Sequence, residues 1–186
     1  MRKFILLFLA FFFITSGLLA YDWKYLHEKA DQEGPEAVLG LMKSGQDSVE
    51  NLYLLGLAYL NSYKDSLARE TFEKILVLDN KMLGARWGIA EVYRRKHQTV
   101  AAQKILEEVL KSDPQFPPAC ISLAYIKYLN MDFEDSARLA LRVIEQGKDK
   151  VDLSNYLRAY TMYAGAKGMI AHYGGIISKA INGAAV

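Results

Sequence analysis

The chain has 186 residues, 52% of them hydrophobic, and carries 23 Lys and Arg against 21 Asp and Glu, a formal net charge of +2. A single cysteine, Cys120, excludes an internal disulfide and gives no thiol spacing for a metal site. The longest basic run, Arg94-Arg95-Lys96, leaves counterion release little to work with, so nucleic acid is not expected as a partner.

Residues 1–20 have the layout of a secretory signal. Arg2 and Lys3 precede Phe4 to Ile14, which contains no polar residue, and Thr15 to Ala20 ends on a small residue suited to cleavage. The same stretch also suits an uncleaved anchor, since Phe4 to Ala20 is near the shortest length that spans a bilayer. The expected location is therefore exported, periplasmic or extracellular, or else tethered facing the periplasm, with membrane contact only through residues 4–20. With Arg2 and Lys3 set aside, 21 basic residues face 21 acidic ones. Residues 21–48 then carry two short apolar-periodic pieces, Trp23/Leu26/Ala30 and Val38/Leu39/Met42, parted by Gly34-Pro35. Glycine ends a helix and proline suits the first turn of the next, which predicts a helical hairpin shielding the following element. Trp23 and Tyr25 are expected to cover an end that lacks a neighbour.

From Val49 to Lys148 the chain repeats. Gly56, Ala90 and Ala124 stand 34 residues apart; Ala68, Ala102 and Ser136 keep the same interval, as do Phe72, Leu106 and Ala140, and Ile75, Val109 and Val143. In the first unit, Leu52, Leu55 and Tyr59 share one face of a helix over about Ser48 to Leu60, with Gly56 beside them. A mid-helix glycine costs roughly 1 kcal/mol against alanine, which implies close approach of the paired helix. Ser62, three residues before Asp65, predicts a capped helix over about Tyr63 to Val77, with Leu67, Phe72, Ile75 and Leu76 on its apolar face. The second unit spans about Leu83 to Phe116 and the third about Pro118 to Gly147, with Pro117-Pro118 at a helix start and Asp132 and Asp135 opening its second helix. Beyond Val151 a longer helix is expected over Leu153 to Ala171, the beginning of a partial fourth unit over residues 149–186. Ile176, Ile177, Ala180, Ile181 and Ala184-Ala185-Val186 make no solvating cap, which leads us to expect self-association through this end or continuation of the chain beyond it.

Period, small positions and aromatic positions together resemble the tetratricopeptide repeat. The resemblance implies an all-α, right-handed superhelical solenoid of antiparallel helix pairs, with three repeats over residues 49–148. Departures from the pattern are Arg86 and Cys120 where the family often has Trp, Lys127 where Tyr59 and Tyr93 predict an aromatic, and Met131 at the usual turn glycine. Residues 166–186 also resemble segments of exported bacterial tetratricopeptide proteins in which more helical pairs follow. In the family, first helices line the concave face and peptides lie there. Mapped by register, Tyr53, Leu57, Trp87, Glu91, Arg94, Ile121, Tyr125 and Tyr128 point inward. This is an aromatic surface with one ion pair at helical spacing, Glu91 to Arg94 or Arg95, unlike the Lys, Asn and Arg clamp by which family members hold a peptide C-terminus.

No catalytic constellation stands out. His27, His97 and His172 are far apart and are expected on solvated faces, Gly165-Ala166-Lys167-Gly168 lacks the spacing of a phosphate loop, and Cys120 fits a small buried hydrophobe. No metal or cofactor is expected, and no enzyme activity. The expected function is a non-catalytic scaffold binding a protein or peptide segment through Trp, Tyr and Arg, the side chains that dominate binding hot spots. The alternatives are a carrier in which Arg94 is counterion to a small organic acid, and a membrane-tethered structural subunit.

Overall fold

A computed structural model describes residues 22–43 and 48–183 of the chain. The signal or anchor expected over residues 1–20 and the tail Ala184-Ala185-Val186 lie outside the described residues. Nine α-helices follow in order among the described residues: α1 (Trp23–Gln32), α2 (Pro35–Lys43), α3 (Val49–Asn61), α4 (Asp65–Leu78), α5 (Leu83–Arg95), α6 (Thr99–Ser112), α7 (Pro117–Leu129), α8 (Phe133–Gln146) and α9 (Leu153–Gly183). From α3 onward each helix packs on the next, while α3, α5, α7 and α9 form an inner row with α4, α6 and α8 outside it.

The 34-residue period is visible in the turns. Tyr63, His97 and Met131 close the inner helices with φ of 57°, 58° and 62°. At each, the following amide reaches back five residues, from Lys64 to Tyr59, Gln98 to Tyr93 and Asp132 to Lys127, at 2.9 Å in every case. This is the Schellman closure, in which a left-handed residue lets two amides satisfy orphan carbonyls of the last turn. Three non-glycine residues therefore hold a conformation that L-residues resist, because the repeat geometry demands it.

The core follows the same register. The Phe72 ring of α4 is fully buried between α3 and α5, where a Cβ on Gly56 would lie 2.5 Å from it and a Cβ on Gly88 only 2.3 Å. Both positions must lack a side chain for the ring to fit. Ala68, Ala102 and Ser136 occupy equivalent fully buried sites on α4, α6 and α8, and Cys120 is enclosed in α7. Burial pushes the Cys120 thiol up to about 12.

Several sequence expectations change. Ser62 does not cap α4: it closes α3, and α4 begins at Asp65 after Lys64, without a side-chain cap, because the tight turn at Tyr63 uses up those residues. Leu67 faces solvent at 43% exposure. The last helix does not stop near Ala171 but continues to Gly183 through Gly174-Gly175, each glycine costing only about 1 kcal/mol where no proline or cap intervenes. The pieces flanking Gly34-Pro35 form helices, yet they do not make a hairpin: α1 and α2 each pack on α3 rather than substantially on one another.

Candidate functional site

The concave side of the inner row is occupied by the chain itself. Instead of covering the end of the first repeat, α1 packs on α3 and reaches Gly84 and Trp87 of α5. Asp22 starts it by accepting from the Tyr25 amide at 2.9 Å. Trp23 meets Tyr53 and Phe116 edge-on, at centroid distances of 5.5 and 5.0 Å, and fits because Gly84 is bare: a Cβ there would be 2.5 Å from the indole. At the other end of α1, Asn61 donates to the Ala30 carbonyl and to the Asp31 carboxylate, both at 3.3 Å. Lys24 reaches across to the Lys148 and Asp149 carbonyls at 3.3 and 3.4 Å. Tyr25 remains on the solvent side, 54% exposed with Lys29 over its ring.

The middle of the seam is polar and buried. His27, expected on a solvated face, is buried instead, with Nε2 3.0 Å from the Tyr53 hydroxyl and its ring 5.4 Å from that of Trp87. Burial lowers its pKa from 6.5 to about 4, against the pull of Asp152 and with a contribution from Arg158. Trp87 Nε1 donates to Ser122 Oγ at 3.0 Å, and Ser122 in turn faces the Glu91 carboxylate. The expected ion pair forms as Glu91 with Arg94, whose Nε and Nη2 both donate, the closest contact being 2.8 Å. Burial alone would raise the Glu91 carboxyl, but the Arg94 and Ser122 hydrogen bonds outweigh it and hold the group below the usual range. Arg95 turns the other way, donating to Asp65 and to the Leu60 carbonyl.

Of the eight inward residues named from register, Tyr53, Leu57, Trp87, Glu91 and Ile121 are buried. Three stay accessible, and they separate. Arg94 lies 4.9 Å over the Tyr125 ring, which is 38% exposed; Tyr128 is half-buried beside Phe133 at 5.3 Å, in a different cluster. Arg94 and Tyr125 line an open recess of about 380 Å³ with Ile121, Leu157, Arg158, Thr161 and Met162. Here α9 supplies residues that register could not find, because it departs from the 34-residue interval. Arg158 contacts Asn155 at 3.3 Å and has no carboxylate within ion-pair distance among the described residues.

Antiparallel pairs stacked in a single row, with inner helices facing a groove, define a tetratricopeptide-like helical solenoid. Solved structures agree with that class. The chain is similar to "MamA 41-end from Desulfovibrio magneticus RS-1", 17% identical, with 83% of this chain and 91% of that one covered and a TM-score of 0.50. It is also similar to "Crystal structure of MamA protein", 19% identical, covering 80% of this chain and 79% of that one, again with a TM-score of 0.50. No protein-family model matches the chain, and no curated protein matches it. Among the described residues no helix is long and apolar enough to cross a membrane.

Proposed function

We propose that the protein is an exported, non-catalytic helical scaffold that holds a segment of another protein on its concave side. The observation that carries this reading is the recess at Arg94, Tyr125, Leu157, Arg158 and Met162. It is open, and it joins aromatic and aliphatic surface to the Arg158 guanidinium, which donates to Asn155 and makes no ion pair among the described residues. Such a combination suits an apolar segment with a neighbouring acidic side chain, held by burial and oriented by a charge-assisted hydrogen bond. The carrier alternative gains less support, because Glu91 already neutralises Arg94, the counterion it requires.

The test is affinity capture from an envelope extract with the wild-type chain and a Tyr125→Ala/Leu157→Ala chain of equal helical content. Loss of a retained protein in the variant supports the reading. Equal retention moves the site off the concave face and towards the C-terminal end.

A further inference from the structure

Three features set α1 apart from the solenoid helices it touches. At 10 residues it is too short to persist as an isolated helix in water, so it is helical because it is docked. Its connection to the rest is Glu33-Gly34, and it shares little surface with α2. Its C-terminal half also lies over a polar cavity of about 120 Å³, whose wall includes Asp31, Asn61, Glu91, Arg95 and Asn155. Within the solenoid, the contact of Phe72 with Gly56 and Gly88 leaves no such space. The docking residues of α1 are Trp23, Leu26, His27 and Ala30, at i, i+3, i+4 and i+7, the spacing by which an amphipathic helix enters a groove.

We propose that the surface beneath α1 is an acceptor for an amphipathic helix of a partner protein, and that α1 is its resident occupant until that partner arrives. The groove specifies the ligand position by position. A large aromatic fits between Tyr53 and Phe116 above Gly84; an aliphatic residue follows at the Leu26 position; the next needs a group that hydrogen-bonds the Tyr53 hydroxyl; the last, at the buried Ala30 position, borders the polar cavity. A partner is favoured over the α1 of a second copy because each chain already offers its own α1 through a two-residue tether, at high effective concentration. An outside helix gains only by reaching further. Past Asp31 the cavity wall includes Arg94 and Arg158, which also bound the open recess with Tyr125 and Leu157, so a longer helix with an acidic residue in its next turn continues where α1 ends.

The inference rests on the concave-face reading above, and its test is separable from that one. An acetylated, amidated peptide of residues 22–33 is titrated into the full chain and into a Leu26→Asp chain, whose own α1 is weakened. Because apparent affinity scales with the fraction of open groove, the variant binds the peptide at least about tenfold tighter than wild type, and a peptide carrying the same Leu26→Asp change binds neither. Adding Tyr125→Ala/Leu157→Ala leaves this peptide's affinity unchanged, whatever happens to partner capture. Hydrogen exchange on the wild-type chain gives a second reading that needs no variant: amides 26–32 exchange at least about tenfold faster than amides 52–60 if α1 lifts by itself. Equal protection of the two segments, a folded Leu26→Asp chain that gains no affinity, or loss of solenoid helicity in that variant overturns the proposal. A wild-type dimer that the peptide dissociates assigns the groove to a second copy and overturns it as well.

Discussion

The seam around Phe72 and the seam around His27 bury similar rings by opposite means. Phe72 is enclosed by apolar atoms and by two glycines whose missing side chains make its room. His27 is enclosed by hydroxyl, indole and charged groups, with a polar cavity alongside. The first seam is built of apolar contacts around two periodic positions, Gly56 and Phe72, with Gly88 added from the next repeat. The second joins repeat positions, Tyr53 and Trp87, to residues of α1 and the start of α9 that lie outside the repeat, and a buried polar group there is costly unless its partners satisfy it. The two sides of the inner helices thus differ in chemistry: one face builds the array, and under the proposal above the other holds a helix that a partner displaces.

The strongest way to break this contrast is at Phe72. Phe72→Ala removes the ring that joins α3, α4 and α5 and should cost about 3–5 kcal/mol in denaturant unfolding. A loss under about 1 kcal/mol would mean the array does not depend on that seam.

Acid should act on the other seam. The unfolded chain takes up a proton at His27 near 6.5 and the folded chain only near 4, so the unfolded state binds more protons between those values and stability falls as pH drops through that window. The full loss is about 3 kcal/mol by pH 4, at roughly 1.4 kcal/mol per unit. The groups facing His27 are Tyr53 on α3, Trp87 on α5, and Asp152 and Arg158 at the start of α9, with Asp31 on its own helix. His27→Gln should flatten the profile of midpoint against pH; an unchanged slope would remove His27 from the account.

Two smaller changes sharpen the comparison by improving the repeat side alone. Ser136 stands where the earlier repeats have Ala68 and Ala102, and its hydroxyl is buried without a hydrogen-bond partner among the described residues. Ser136→Ala should therefore stabilise by about 1 kcal/mol, measured as a raised denaturation midpoint. Met131→Gly relieves the left-handed turn and should add roughly 0.5 kcal/mol after the glycine's extra unfolded-state freedom is counted. Neither change should alter the hydrogen-exchange protection of residues 26–32.

The spacing of small and large residues was enough to place the helix pairs and the bare position at Gly56; it narrowed the partner of Glu91 to Arg94 or Arg95, and the structure chose Arg94. A helix period constrains neighbours three and four residues apart, and a repeat period carries that constraint to the next helix pair. The turn at Met131 was visible only as a missing glycine; the backbone shows that methionine adopts the glycine's conformation. Tertiary structure alone decided where α1 goes. Trp23, Leu26 and Ala30 announce an apolar face, but nothing in their spacing says whether it meets the outer end of the first repeat or the concave side. That choice depends on Gly84, Asn61 and Phe116, which lie 31 to 93 residues away and come together only once the inner helices are stacked. The same stacking buries Tyr53, Leu57, Trp87 and Ile121, whose register predicts the direction they face but not what fills the space in front of them.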